Sequence, residues 1–120
     1  MPLVGPSSIL LAVMASGFNG QSFAFHGYLP IDGADRAKRL KQLEARSHAE
    51  NQTQLFIETP YRNARLFADI CAACSPRTRL CVAAGITTEA EWIRTHTIAR
   101  WTQCGLPDLG KTPAIFLIYA

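Results

Sequence analysis

Glu58, Arg62 and Arg65 are the residues best placed in this sequence to do chemistry. In Leu55-Phe56-Ile57-Glu58-Thr59-Pro60-Tyr61-Arg62 an apolar run ends in an acid, a proline turn and a base. Such a run reads as a buried strand that hands over to a helix beginning near Pro60. In open α/β sheets ligands bind in the crevice beyond the carboxyl ends of the strands, so charge at this edge is a better site candidate than charge in mid-helix. A carboxylate there can orient a substrate or take a proton, and arginines can hold phosphates or carboxylates. The competing reading is a capped helix with an exposed arginine.

Other reactive residue types are less well placed. His26 stands in Phe23-Ala24-Phe25-His26-Gly27-Tyr28-Leu29 with no acidic or nucleophilic neighbour, and reads as an ordinary strand histidine. Histidines 26, 48 and 96 are too scattered to suggest a metal, and no metal site is expected. Cys71-Ala72-Ala73-Cys74 has zinc-like spacing, but Cys81 and Cys104 do not form a second close pair. All four are expected to be reduced, buried thiols. The sequence contains no G-x-G-x-x-G, Walker loop, G-x-S-x-G or H-E-x-x-H pattern.

The elements that position these residues follow from periodicity. A helix is expected over residues 6–16, opened by Pro6 and stopped by Gly17. The alternating aromatic segment 23–29 predicts a strand, closed by Pro30. Residues 35–48 predict a basic helix with Ala37, Leu40 and Leu43 buried, and with Arg36, Lys38, Arg39, Lys41 and Arg46 facing solvent or a partner. After the strand ending at Glu58, a helix runs from Pro60 to about Cys74. A third strand covers residues 79–86, and residues 91–96 form a short edge strand followed by a helical turn through Trp101. The continuous apolar run Ala114–Tyr119 predicts a central strand, with Pro113 at its entry. The expected fold is α/β: one domain over residues 1–120, a mixed sheet of about five strands with flanking helices.

Composition agrees with a globular domain. The chain has 120 residues, 48% apolar and 18% charged, which argues against disorder. A net charge of +3 names no partner, but Arg36 to Arg79 carries nine bases against four acids. That local excess suits an anionic ligand or nucleic acid. The apolar run Ile9–Gly17 is preceded by no basic residue and is too short to span a bilayer, so no membrane association and a cytoplasmic location are expected.

Four segments carry a family resemblance. Val4-Gly5-Pro6-Ser7-Ser8, Ser16-Gly17-Phe18, Phe23-x-Phe25-x-Gly27-Tyr28-Leu29-Pro30 and Phe56-Ile57-Glu58-Thr59-Pro60-Tyr61-Arg62 occur in the order and spacing of the tetrapyrrole methylase superfamily. Within it, the chain is most similar to the small-subunit ribosomal RNA ribose 2′-O-methyltransferase I branch, with its G-P-S-A, S-G-L, F-x-F-x-G-F-L-P and Y-E-S-P-H-R segments. The resemblance implies the C-terminal domain of a two-domain methyltransferase that uses S-adenosylmethionine. Its N-terminal cofactor domain is expected to lie outside this sequence, and the 120 residues alone are expected to be inactive.

By position, the resemblance implies cofactor contacts from Ser7, Ser8, Ile57, Glu58, Ala83, Thr112, Pro113 and Ala114. It implies Glu58 as a substrate-orienting group or base and Arg62 and Arg65 as substrate contacts. Two departures stand out: Ala84-Gly85-Ile86-Thr87-Thr88 replaces the branch's Arg-Glu-Leu-Thr-Lys run, and Tyr61 replaces its histidine. The substrate is therefore open between ribosomal RNA ribose and a corrin or porphyrin carbon. A binding module without catalysis is the rival of another class. Homodimerisation is expected from the resemblance.

Overall fold

The computed structural model describes residues 23–58, 62–85, 92–106 and 114–120. The expected helix over 6–16 lies outside them. The described elements are β1 (Phe23–Tyr28), α1 (Gly33–Glu50), β2 (Thr53–Glu58), α2 (Asn63–Ala73), β3 (Arg79–Ala84), β4 (Trp92–Thr97), α3 (Ile98–Cys104) and β5 (Ala114–Tyr119). No helix among the described residues is long and apolar enough to cross a membrane.

The strands form one mixed sheet in the order β1-β2-β5-β3-β4. β1 and β2 are parallel, joined by α1, because a parallel pair needs a long crossover. β5 is inserted antiparallel between β2 and β3, the central position its apolar sequence predicts. β4 closes the far edge against β3.

Local sequence sets the element ends. Asp32 caps α1 by accepting from the Asp35 amide at 3.1 Å. Asn51 ends α1 in the left-handed region at φ 52°. Thr97 caps α3, its hydroxyl accepting from the Arg100 amide at 3.3 Å. Gly27, at φ +69°, sits where the β1–β2 register shifts between Phe25 and Tyr28.

Alternation along the strands sorts the core into two layers. Leu80, Val82, Phe116, Ile118 and Phe56 point toward the helices, meeting Leu40, Leu43, Leu66, Ile70 and Trp101. Leu55, Cys81, Ala83, Ile115 and Leu117 form a second buried cluster on the opposite face. Phe56 and Phe116 stack in the helix-side layer, ring centroids 6.3 Å apart and nearly parallel. Trp101 is fixed there by donating its indole N–H to the Leu80 carbonyl at 2.8 Å and by edge packing on Phe67. Truncating Phe116, which is fully buried, removes an aromatic of the helix-side layer that stacks on Phe56 and sits between β2 and β3. Phe116→Ala is expected to lower the free energy of unfolding by about 3–5 kcal/mol in a urea titration.

Candidate functional site: a buried arginine at the end of β2

The buried stripe of α1 keeps the expected Leu40 and Leu43, leaves Ala37 only half-buried, and adds Ser47 and a charged residue, Arg36. The expectation that Arg36 faces solvent or a partner does not hold: it is fully buried within the chain. The reason is helical geometry. Arg36, Leu40, Leu43 and Ser47 are the buried residues of α1 and follow one another at helical spacing, so Arg36 begins the inward stripe.

A buried guanidinium requires partners. Arg36 Nε donates to the Pro30 carbonyl at 2.9 Å, Nη1 to Asp69 Oδ2 at 3.1 Å, and Nη2 to Glu58 Oε2 at 2.9 Å. One side chain thus joins the exit of β1, the first turn of α1, the middle of α2 and the end of β2. The Glu58 side chain is 2% exposed, whereas that of Asp69 is 30% exposed. The other Glu58 oxygen lies 3.9 Å from Arg62 Nη1, at the start of α2. Glu58 therefore faces a guanidinium on each oxygen, hydrogen-bonded to Arg36 and at ion-pair distance from Arg62. Its geometry is that of an anchor for Arg62.

Sheet register places the other expected site residues. Ile57, Ile115, Ala83 and Ile93 pair in one row across β2, β5, β3 and β4. Glu58, Ala114, Ala84 and Trp92 form the next row. Because side chains alternate, the two rows face opposite sides of the sheet. Ile57 and Ala83 share the face away from the helices, while Glu58 and Ala114 lie on the helix side. Arg62 is half-buried at the α2 N-terminus and Arg65 is exposed on that helix. Ser7, Ser8, Thr112 and Pro113 lie outside the described residues.

The cysteines divide. Burial pushes the Cys74 thiol up to about 12, with Glu44 and Cys71 adding to the effect, and pushes Cys81 up to about 11. Both are inert, buried hydrophobes at neutral pH. Cys71 is half-buried, and Cys104, expected inside, is exposed at the end of α3. All four are free. Among the described residues no three His, Cys, Asp or Glu side chains gather as a metal set.

His26 is a satisfied strand histidine. Nε2 lies 2.6 Å from Gln54 Oε1, and Nδ1 lies 3.5 Å from an Arg39 nitrogen, which fits a neutral ring donating to Gln54 and accepting from Arg39. Burial lowers its pKa; the Gln54 hydrogen bond opposes that, and Arg39 and Arg46 reinforce it. A group with a depressed folded pKa favours the folded state above the unfolded value, 6.5 for this ring, and loses that advantage as pH falls through the folded value. Unfolding midpoints should therefore drop on acidification below about pH 6.5, and His26→Gln should flatten the histidine-range part of that curve.

No family model matches the chain. The ribosomal RNA small subunit methyltransferase I of Mesorhizobium japonicum is 32% identical over 98 residues, covering 82% of this chain and 32% of that protein. The protein of the same name from Thermotoga maritima is 41% identical over 66 residues, 55% of this chain and 28% of its own length. The chain thus spans about a third of the length of these relatives. Among solved structures, the methyltransferase CobJ matches with a TM-score of 0.58 at 18% identity, over 92% of this chain and 46% of that one. The cobalamin biosynthetic enzyme cobalt precorrin-4 methyltransferase matches with a TM-score of 0.54 at 15% identity, over 94% and 48%. The chain belongs with one segment of the ribosomal RNA small subunit methyltransferase I family and carries the fold of the tetrapyrrole methylases.

Proposed function

We propose that this chain is the C-terminal domain of a methyltransferase that uses S-adenosylmethionine to methylate a ribose 2′-hydroxyl of small-subunit ribosomal RNA. The observation that carries the substrate is a contrast in identity. The proteins at 32% and 41% are named for ribosomal RNA, whereas the corrin enzymes share the fold at only 18% and 15%. The fold likeness keeps methylation of a corrin or porphyrin carbon as the second reading. A non-catalytic binding module is the third.

In this reading the cofactor domain lies in sequence beyond these residues, and the present domain supplies one wall of the cleft. Ser7, Ser8, Ile57, Ala83, Thr112, Pro113 and Ala114 are the proposed cofactor contacts on that wall. The described part fits an adenosyl group in one respect: Ala84 and Ala114, neighbours in one register row, leave only small side chains between Glu58 and Trp92 on the helix side of this end. When bound, the donor supplies a methyl group carried on a sulfonium, which a nucleophile takes by in-line displacement. Of the two roles the sequence suggested for Glu58, substrate-orienting group or base, we favour orientation: hydrogen-bonded to Arg36, its carboxylate also lies 3.9 Å from Arg62, and it remains a proposed cofactor contact. Arg62 and Arg65 hold substrate phosphates, for which a planar guanidinium is well shaped. Assembly as a homodimer and residence in the cytoplasm complete the proposal.

The test uses the intact protein, with its upstream sequence, and offers it small ribosomal subunits and a precorrin-type macrocycle beside labelled methyl donor. Transfer to the subunits, with the labelled nucleotide resistant to alkaline hydrolysis, is the expected result. Arg62→Ala should then raise KM on the order of tenfold while changing kcat less. Transfer to the macrocycle alone would overturn the RNA reading, and transfer to neither would favour the binding module.

A further inference from the structure

A second cluster, outside the residues just assigned, stands at the β4 edge of the same sheet. Trp92 ends the register row that begins with Glu58 and passes through Ala114 and Ala84. Three strand spacings separate its ends, about 14 Å. Both end residues lie on the helix side. The exposed Arg94 carries its guanidinium carbon 5.5 Å from the centre of the Trp92 ring. Trp92 is backed by Trp101, centroids 6.3 Å apart, and Trp101 is locked by its bond to the Leu80 carbonyl. His96 packs edge-on against Trp101 at 5.0 Å.

The stack is rigid behind and open in front. Arg94 lies over an anchored aromatic, which spares it much of the entropy a free arginine would lose on binding. Between Trp92 and Cys104 the sequence holds Arg94, His96 and Arg100 and no acid, while Glu89 and Glu91 precede the strand outside the described residues. Arg100 is exposed, and neither it nor Arg94 has an ion-pair partner among the described residues. Burial lowers the His96 pKa, with the positive charge of Arg100 and then Arg94 adding to the effect. A planar cation on an indole, with further positive charge nearby and no acid in the segment, is the chemistry that stacks unpaired bases and pairs with their phosphates.

We propose that Arg94, laid on Trp92, is a stacking platform for an unpaired base of a single-stranded RNA segment, with Arg100 taking an adjoining phosphate. This deepens the RNA reading above and rests on it. The same strand of RNA would run along the end of the sheet from Arg62 to Arg94, a few nucleotides apart. The row that joins Glu58 to Trp92 sets that span. Arg94 also discourages another protein strand from pairing with this edge, since charged edge residues oppose such addition.

The experiment titrates the 120-residue chain with an unstructured oligoadenylate and follows both affinity and tryptophan emission. Binding should quench the emission, and Trp92→Phe should remove the quench while Trp101 remains. Arg94→Ala should weaken binding on the order of tenfold, and Arg100→Ala should make the salt slope shallower by about 0.7. Arg94→Lys keeps the charge and loses the plane, so it should weaken binding several-fold with the slope unchanged. Thermal midpoints of all variants, measured alongside, report folding. RNA binding that Arg62→Ala weakens but neither Arg94 variant alters would overturn the platform and leave the RNA reading standing. No RNA binding by the folded chain overturns the platform, while the RNA reading is overturned only by the intact protein failing to methylate small ribosomal subunits. Polyglutamate bound as tightly as the oligoadenylate, with the same dependence on Arg94, would replace RNA with an acidic protein partner.

Discussion

A guanidinium taken out of water must be met on its donor sides, and the Arg36 side chain is met by parts of the chain that would otherwise be independent. Its partners are a carbonyl after β1, a carboxylate at the end of β2 and a carboxylate within α2. Leaving any of these without its partner exposes a buried charge to a medium that cannot solvate it, a cost of several kcal/mol. The order of the elements around the strand end follows from that requirement. α1 cannot rotate about its axis, nor α2 slide along the sheet, without breaking a contact to the same side chain. Arg62 inherits the arrangement, because it leans on the second oxygen of the carboxylate that Arg36 holds. Fixing a guanidinium in advance is what phosphate recognition gains from.

The sheet adds a second constraint. β5 pairs with both β2 and β3, so it sets the register between the two strands whose ends carry the expected site. A slip of one residue would exchange Ile57 with Glu58 between faces and put a carboxylate into the apolar cluster of Leu55, Cys81 and Leu117. The cost of that exchange pins the strand ends to one another across the whole width of the sheet, as far as Trp92. Site geometry and core packing are thus consequences of one alternation.

Much of this was legible in the sequence. The run Ala114–Tyr119 has no polar residue before its terminal tyrosine, and its burial on both faces required the central place it occupies. The β1–α1–β2 unit and the edge position of β4 followed from period and length. Arg36 did not, because residue type outweighed position: an arginine among Lys38, Arg39 and Lys41 reads as one of a solvated set. Its spacing to Leu40 and Leu43 was the available signal. The partner that justifies its burial lies 22 residues along, which no local pattern encodes. Cys104 failed in the opposite direction, since a thiol in a seven-residue helix has too short a stripe for its face to be predicted. The Trp92–Arg94 stack was visible only as composition until β4 placed alternate residues on one side.

The order of the elements around the strand end depends on the coupling between Arg36 and Glu58. A double-mutant cycle with Arg36→Met and Glu58→Gln, read by urea unfolding of the folded chain, isolates it. Each single variant should cost about 3–5 kcal/mol, and the double variant should cost clearly less than their sum, with a coupling of about 2 kcal/mol or more. Costs that add to within about 0.5 kcal/mol would contradict the account, because the two side chains would then be buried near one another without holding the strand end in place.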